Sequence, residues 1–180
     1  MHNVILLGAP GSGKGTQAQL ISEKYGIPVL TMGDIIRAEI KAETDLGLEM
    51  KSYLDKGDLV PDAVISNLFL SKVTKTLCEA GFISDGVPRT LAQAKLLQEK
   101  LDSFQASYKI VLINVSLDQI MDRLSKRGRE DDTAAVIENR FKIYESELNP
   151  ILDFYRNKVN IVNGNQELEH VFSDICKVLN

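Results

Sequence analysis

The stretch Gly8-Ala9-Pro10-Gly11-Ser12-Gly13-Lys14-Gly15-Thr16 sets glycines, a lysine and two hydroxyls between the apolar run Val4-Ile5-Leu6-Leu7 and the helix-like Gln17-Ala18-Gln19-Leu20-Ile21. A glycine-rich turn between strand and helix aims several backbone N–H groups and the positive end of a helix dipole at one point, and Lys14 adds a mobile cation there. That is the chemistry of polyphosphate binding. Gly8, Gly13 and Lys14 meet the spacing G-x-x-x-x-G-K. Gly15 stands in the usual Ser/Thr position, and the hydroxyl follows at Thr16. A nucleoside triphosphate brings a divalent cation, usually Mg²⁺, which keeps several waters and needs only one or two carboxylates in reach. Asp85, at the end of the apolar segment 81–85, is the candidate.

Phosphoryl transfer spreads charge over oxygens, so catalysis needs positioning and cations rather than a protein nucleophile. Arg37, Arg89, Arg123, Arg127, Arg129 and Arg140 all fall at or near expected strand ends. Each alone reads equally well as a solvated surface charge; together they suit a site that holds two phosphate chains end to end, because a guanidinium grips phosphate bidentately. Arg129 and Arg140 are eleven residues apart, about three helical turns, and share a face if their helix reaches back toward Arg129. His2 and His170 read as surface residues, and no serine has a recognisable base nearby, so no histidine-based triad competes. There is no N-K-x-D sequence to read guanine.

The elements that must position these residues follow from periodicity and punctuation. Apolar segments 4–7, 27–31, 81–85, 109–115 and 159–162 read as strands. Between them the pattern predicts a helix capped by Asp34, a second at 46–56, one long helix at 63–80, then helices at 91–101 and 117–126. Asp132 is placed to cap a helix at 133–147, Asn149-Pro150 marks a break or kink, and residues 168–179 close the chain. Strands alternating with helices imply a parallel sheet covered on both faces, with ligands at the carboxyl ends of its strands. Leu7, Thr31, Asp85, Val115 and Val162 would then face one cleft, and residues 31–60 form a helical excursion from the sheet.

The chain has 180 residues, 44% of them hydrophobic and 26% charged, with a net charge of −4. It reads as one domain whose mild acidity argues against a chain-wide nucleic-acid surface. No apolar run is long enough to span a membrane and no signal peptide is evident, so a cytoplasmic location is expected. Cys78 and Cys176 are too few for a disulfide framework or a four-cysteine zinc site and read as buried thiols.

With residues 8–17, Gly33-Asp34-x-x-Arg37, Leu59-Val60-Pro61-Asp62, Asp85-Gly86-x-Pro88-Arg89-Thr90 and Gly128-Arg129-x-Asp131-Asp132 in order, the chain resembles the adenylate kinases over essentially its whole length. The resemblance implies a P-loop NTPase fold. This is a three-layer α/β/α domain with a five-stranded parallel sheet, a core of 1–30, 61–126 and 137–180, a nucleoside-monophosphate-binding excursion at 31–60 and a very short lid at 127–136. It implies reversible transfer from MgATP to AMP giving two ADP, without a covalent intermediate, by a monomer. Residue by residue, Gly11, Ser12, Gly13, Lys14, Gly15 and Thr16 would cradle the ATP phosphates, Arg123 and the Gln166 backbone would meet the ATP adenine, and Arg127 its phosphates. Arg37 and Arg89 would hold the AMP phosphate, with Arg129 and Arg140 reaching both substrates. Asp58, Leu59, Val60, Gly86, Val87 and Pro88 would line the AMP site, and the Gln93 amide would read the adenine. Mg²⁺ would be held by phosphates and water with Thr16 and Asp85 close by, and no zinc is implied.

Three departures stand out. Met32 replaces the usual threonine at the AMP base, either filling the wall or altering base preference. Val87 replaces phenylalanine before Pro88, where a cis peptide is expected. Only Gly128 separates Arg127 from Arg129, which leaves no room for a zinc or β-rich lid. A UMP/CMP kinase shares most of the arginines; Thr90 and Gln93 favour AMP. A sensor that binds nucleotide without catalysis is the remaining alternative, disfavoured by a full set of transition-state cations.

Overall fold

Alternation along the strands sorts the apolar residues into two cores. In the computed structural model, which describes residues 2–127 and 133–180 (for Arg127 the backbone alone), strand β1 (Asn3–Leu7) is buried at every position. Ile5 and Leu7 face one layer, with Ile110, Leu112 and Phe82, and Val4 and Leu6 face the other, with Ile83, Val111 and Ile113. Burial on both faces is why these strands are near-continuous apolar runs. The sheet order is β2-β3-β1-β4-β5, every pairing parallel, with β2 (Val29–Thr31) and β5 (Val159–Asn163) at the edges and β3 (Phe82–Asp85) and β4 (Lys109–Asn114) flanking β1. The expected three-layer α/β/α architecture is therefore present.

One layer is α1 (Lys14–Tyr25) and α9 (Leu168–Leu179), which bury Ala18, Ile21, Val171, Ile175 and Leu179. The other carries α4 (Asp62–Lys72), α5 (Lys75–Ala80), α6 (Leu91–Ser103) and the end of α8 (Ala134–Tyr155). Ala94, Leu97 and Leu101 form the buried stripe of α6 as their spacing predicts. Helix α7 (Leu117–Arg127) buries Ile120 and Leu124 against Ala9 and Ile137.

Four local expectations are corrected. The single helix at 63–80 is two, because Val73 turns extended (ψ 95°) to bury its side chain, and the Thr74 hydroxyl caps α5 by accepting the Leu77 N–H at 3.2 Å. Helix α8 runs through Pro150 instead of breaking: the buried Ile151 and Tyr155, whose hydroxyl donates to the Ala94 carbonyl at 3.2 Å, hold the segment in place across one missing N–H. Thr133 caps α8 through its own hydroxyl, and the expected cap Asp132 lies outside the described residues. Asp34 sits inside the first turn of α2 (Met32–Lys41), where it pairs with Arg37, rather than capping it.

The excursion at 31–60 is α2 with α3 (Asp45–Leu54) folded back on it. Thr44 makes the corner: its hydroxyl accepts the Gly47 N–H at 2.9 Å and donates to the Glu39 carboxylate at 2.8 Å. A Cβ at Gly47 would lie 2.3 Å from the Glu39 carbonyl oxygen and 2.8 Å from the Ile40 nitrogen, backbone atoms that cannot swing aside. Gly47→Ala should therefore push the two helices apart and lower stability by about 1–3 kcal/mol. A lowered midpoint in urea unfolding is the expected result, and an unchanged one would contradict so close an approach.

Candidate active site

The loop between β1 and α1 is shaped by glycines that other residues could not replace. Gly11 and Gly13 have φ of 83° and 91°, the left-handed region that L side chains rarely adopt, and Gly13 is the N-cap of α1. No side chain caps that helix and its first turn holds no acid, so its N–H groups and positive dipole end face the cleft. The Lys14 ammonium arches back to donate to the carbonyls of Gly8 at 2.6 Å and Ala9 at 2.8 Å. Arg123, from α7, donates to the carbonyls of Ser12 at 3.3 Å and Gly164 at 2.9 Å, tying the loop to the turn after β5.

Across the cleft, Asp85 ends β3 directly beside Leu6 of β1. Its carboxylate is 3.6 Å from where a Gly15 side chain would begin, so Asp85 stands beside the residue that breaks the usual loop pattern. The turn after Asp85 contains the expected cis Val87–Pro88 bond and delivers Arg89, whose Nε donates to the Gly86 carbonyl at 3.1 Å. Arg89 is open to water in the cleft yet surrounded by its walls. Burial pushes its guanidinium below its ordinary value, Asp85 opposes that, and Arg140 and Arg37 push further in the same direction. Three guanidinium groups thus act on one another around a single carboxylate, a field that an incoming polyanion relieves.

These groups line one cleft of about 810 Å³, together with Gly11, Gly13, Lys14, Gly15, Thr16, Asp58, Leu59, Gly86, Pro88 and Arg123. Other candidates stand behind its wall. Ser12 turns under the loop toward Lys14, and Met32, Val60 and Val87 bury their apolar side chains at 2%, 4% and 2% exposure, so Met32 fills the wall from behind Gly86. Gln93 is also buried, its amide bonded to Asp62 and to the Arg89 N–H. Gln166 bonds Asn163 and Asp174 through its side chain, leaving only its backbone for the expected role. Arg129 and the Arg127 side chain lie outside the described residues, as does half of the expected lid, 128–132.

Two features were not anticipated. Ile143, Tyr144, Leu148 and Ile151 continue the Arg140 face of α8 into the cleft as an apolar wall, and their spacing of three and four was the available signal. Burial pushes the Tyr144 hydroxyl up to about 12, with Glu145 adding to it, which keeps it a neutral donor. Second, the excursion touches the start of α8. Asn139 donates to the Lys56 carbonyl at 3.0 Å and the Asp58 carboxylate at 2.8 Å, and Gly57 (φ 77°) would set a Cβ 2.8 Å from the Val136 carbonyl oxygen. No group of three or more metal-binding side chains occurs among the described residues, and no helix among them is long and apolar enough to cross a membrane.

The family model described as adenylate kinase matches residues 6–160. A protein named adenylate kinase from Mycolicibacterium vanbaalenii is 45% identical over 177 residues, covering 98% of both chains, and one from Mycolicibacterium paratuberculosis is 47% identical over 171 residues, covering 94% of both. A third of that name, from Fusobacterium nucleatum, is 38% identical over 206 aligned positions and 98% of both chains.

The Asn139 joint sets how freely the excursion opens. Asn139→Ala removes a bond to a charged acceptor, about 2 kcal/mol, so amide exchange at Gly57 and Asp58 should quicken roughly thirtyfold while β1 and β4 stay protected. Hydrogen exchange followed by mass spectrometry or NMR checks it; equal rates in both proteins would show that the joint holds nothing.

Proposed function

The chain belongs to the adenylate kinase family, whose reaction is the reversible transfer of a phosphoryl group from ATP to AMP giving two ADP, and from that premise we propose how its residues carry this chemistry. The loop from Gly11 to Thr16 cradles the donor phosphates, with Lys14 following the transferred group. Arg123 lies against the donor adenine, Arg127 contacts the donor phosphates and the Gln166 backbone touches the adenine edge. Arg37 and Arg89 hold the acceptor phosphate, and Arg129 and Arg140 bridge both nucleotides. Asp58, Leu59, Gly86 and Pro88 line the acceptor, backed by Met32, Val60 and Val87, and Gln93 addresses its base.

The convergence of Arg37, Arg89 and Arg140 opposite the Lys14 loop in one cleft is the observation that carries this reading. An acceptor phosphate oxygen forms a bond to the γ-phosphorus as the bond to the β-γ bridging oxygen breaks. The guanidinium groups stabilise the charge on the oxygens in transit without any covalent enzyme intermediate. Asp85 fits Mg²⁺ well: a carboxylate, 9% exposed, beside Gly15 and in the same cleft as Thr16 suits an ion that keeps its waters. Bound with ATP, the ion would neutralise phosphate charge, with Asp85 and Thr16 reaching it through water. The apolar α8 wall and closure of a short lid at 127–136 would exclude water, because an open ternary site invites ATP hydrolysis. The protein would act as a cytoplasmic monomer with no zinc and no nucleic-acid or membrane partner.

A coupled assay of MgATP with AMP, CMP, UMP and GMP tests the assignment: turnover is expected with AMP, whereas ADP formed only with CMP or UMP would make it a pyrimidine enzyme, and none with any acceptor a sensor. Arg89→Ala should lower kcat/KM by about 10²-fold or more, and near-normal turnover in that variant would remove Arg89 from the reaction.

A further inference from the structure

Asp62, the first residue of α4, turns its carboxylate to the N-terminus of α6. It accepts from the Thr90 hydroxyl at 2.9 Å on both oxygens and from Gln93 Nε2 at 2.7 Å on one. At the other end of the same amide, Gln93 Oε1 accepts the Arg89 N–H at 2.8 Å. Thr90 completes the circuit: its oxygen accepts the Gln93 N–H at 3.2 Å as the cap of α6. Turning this amide over would set its NH₂ against the Arg89 N–H and its oxygen against the Asp62 carboxylate, donor on donor and acceptor on acceptor. The amide is therefore locked in one sense.

A locked amide is a reader with a fixed polarity. Bonded as it is, the buried Gln93 amide has one N–H and one Oε1 lone pair left, in a fixed order. Adenine presents an acceptor at N1 beside a donor at N6. Guanine presents the reverse, a donor at N1 beside an acceptor at O6. A free amide can rotate to suit either edge; a fixed one suits one and meets the other with unpaired polar groups, the situation that gives strong discrimination. Resting on the assignment of Gln93 to the acceptor base, we infer that Asp62 is a specificity-determining positioning residue that holds the Gln93 amide in the orientation that accepts adenine and rejects guanine.

The test is Asp62→Asn. An Asn at 62 keeps the size and one acceptor for Thr90 but can donate to Oε1, so the penalty at that end is removed and only the Arg89 N–H still opposes the turned-over amide. Steady-state kinetics should show kcat/KM for AMP falling about tenfold and the GMP-to-AMP ratio rising by about tenfold or more, with KM for ATP within about twofold of its starting value. A residue that merely ties α4 to α6 would not move that ratio. If the ratio stays unchanged in Asp62→Asn while Gln93→Ala loses AMP selectivity, Asp62 has no such role. If Gln93→Ala leaves kcat/KM for AMP intact, Gln93 does not address the base and the premise itself fails. Should Asp62→Asn not fold, the unsubstituted protein decides by NMR. One Gln93 side-chain NH₂ proton should be strongly protected from exchange, and two protons exchanging like those of a surface amide would overturn the lock.

Discussion

The register between β1 and β3 is the constraint on which the site depends. Leu6 pairs with Asp85, so the two strands end side by side, and the loop after one meets the turn after the other. In a parallel sheet neighbouring strands are only about 4.8 Å apart, which places Gly15, Asp85 and the Gly86–Arg89 turn within reach of one bound phosphate chain. A slip by one residue would also carry Ile83 from one core to the other, so the packing of two apolar layers enforces the geometry of a polar cleft. Stability and catalysis are served by the same pairing.

The charge distribution shows why whole-chain arithmetic says little about this site. A net charge of −4 describes a mildly acidic surface, yet the cleft concentrates Lys14, Arg37, Arg89, Arg123 and Arg140 around Asp85. Helices and the turn after β3 deliver these cations from separate points in the chain, and three of the arginines are held by protein groups. Arg37 is paired with Asp34, Arg123 with two carbonyls and Arg89 with Gly86. Such anchoring fixes donors before substrate arrives, which is the basis of electrostatic preorganisation.

What could be read in the sequence was what depends on short-range pattern. The loop declares itself by glycine spacing, the strands by apolar runs buried on both faces, and the α6 stripe by Ala94, Leu97 and Leu101. What could not be read depended on tertiary contact. Pro150 stays within α8 because Tyr155 beyond it finds Ala94 on another helix; Val73 breaks a helix to reach the core; Met32 is buried. Gln93 stood out by its amide, but Asp62, which accepts from that amide, lies 31 residues away along the chain. The α8 wall was present as spacing and missed because apolar residues signal packing before they signal a binding surface.

The close approach of Gly57 to Val136 ties the 31–60 excursion to α8 at a backbone contact point. That contact exists because one position lacks a methyl group, and it joins the end of the 31–60 excursion to the start of α8. Mutations there would change how the excursion meets α8 without altering Lys14 or any arginine of the cleft. Descendants of this chain adapting to colder or hotter surroundings thus have a place to retune turnover while the chemistry stays untouched.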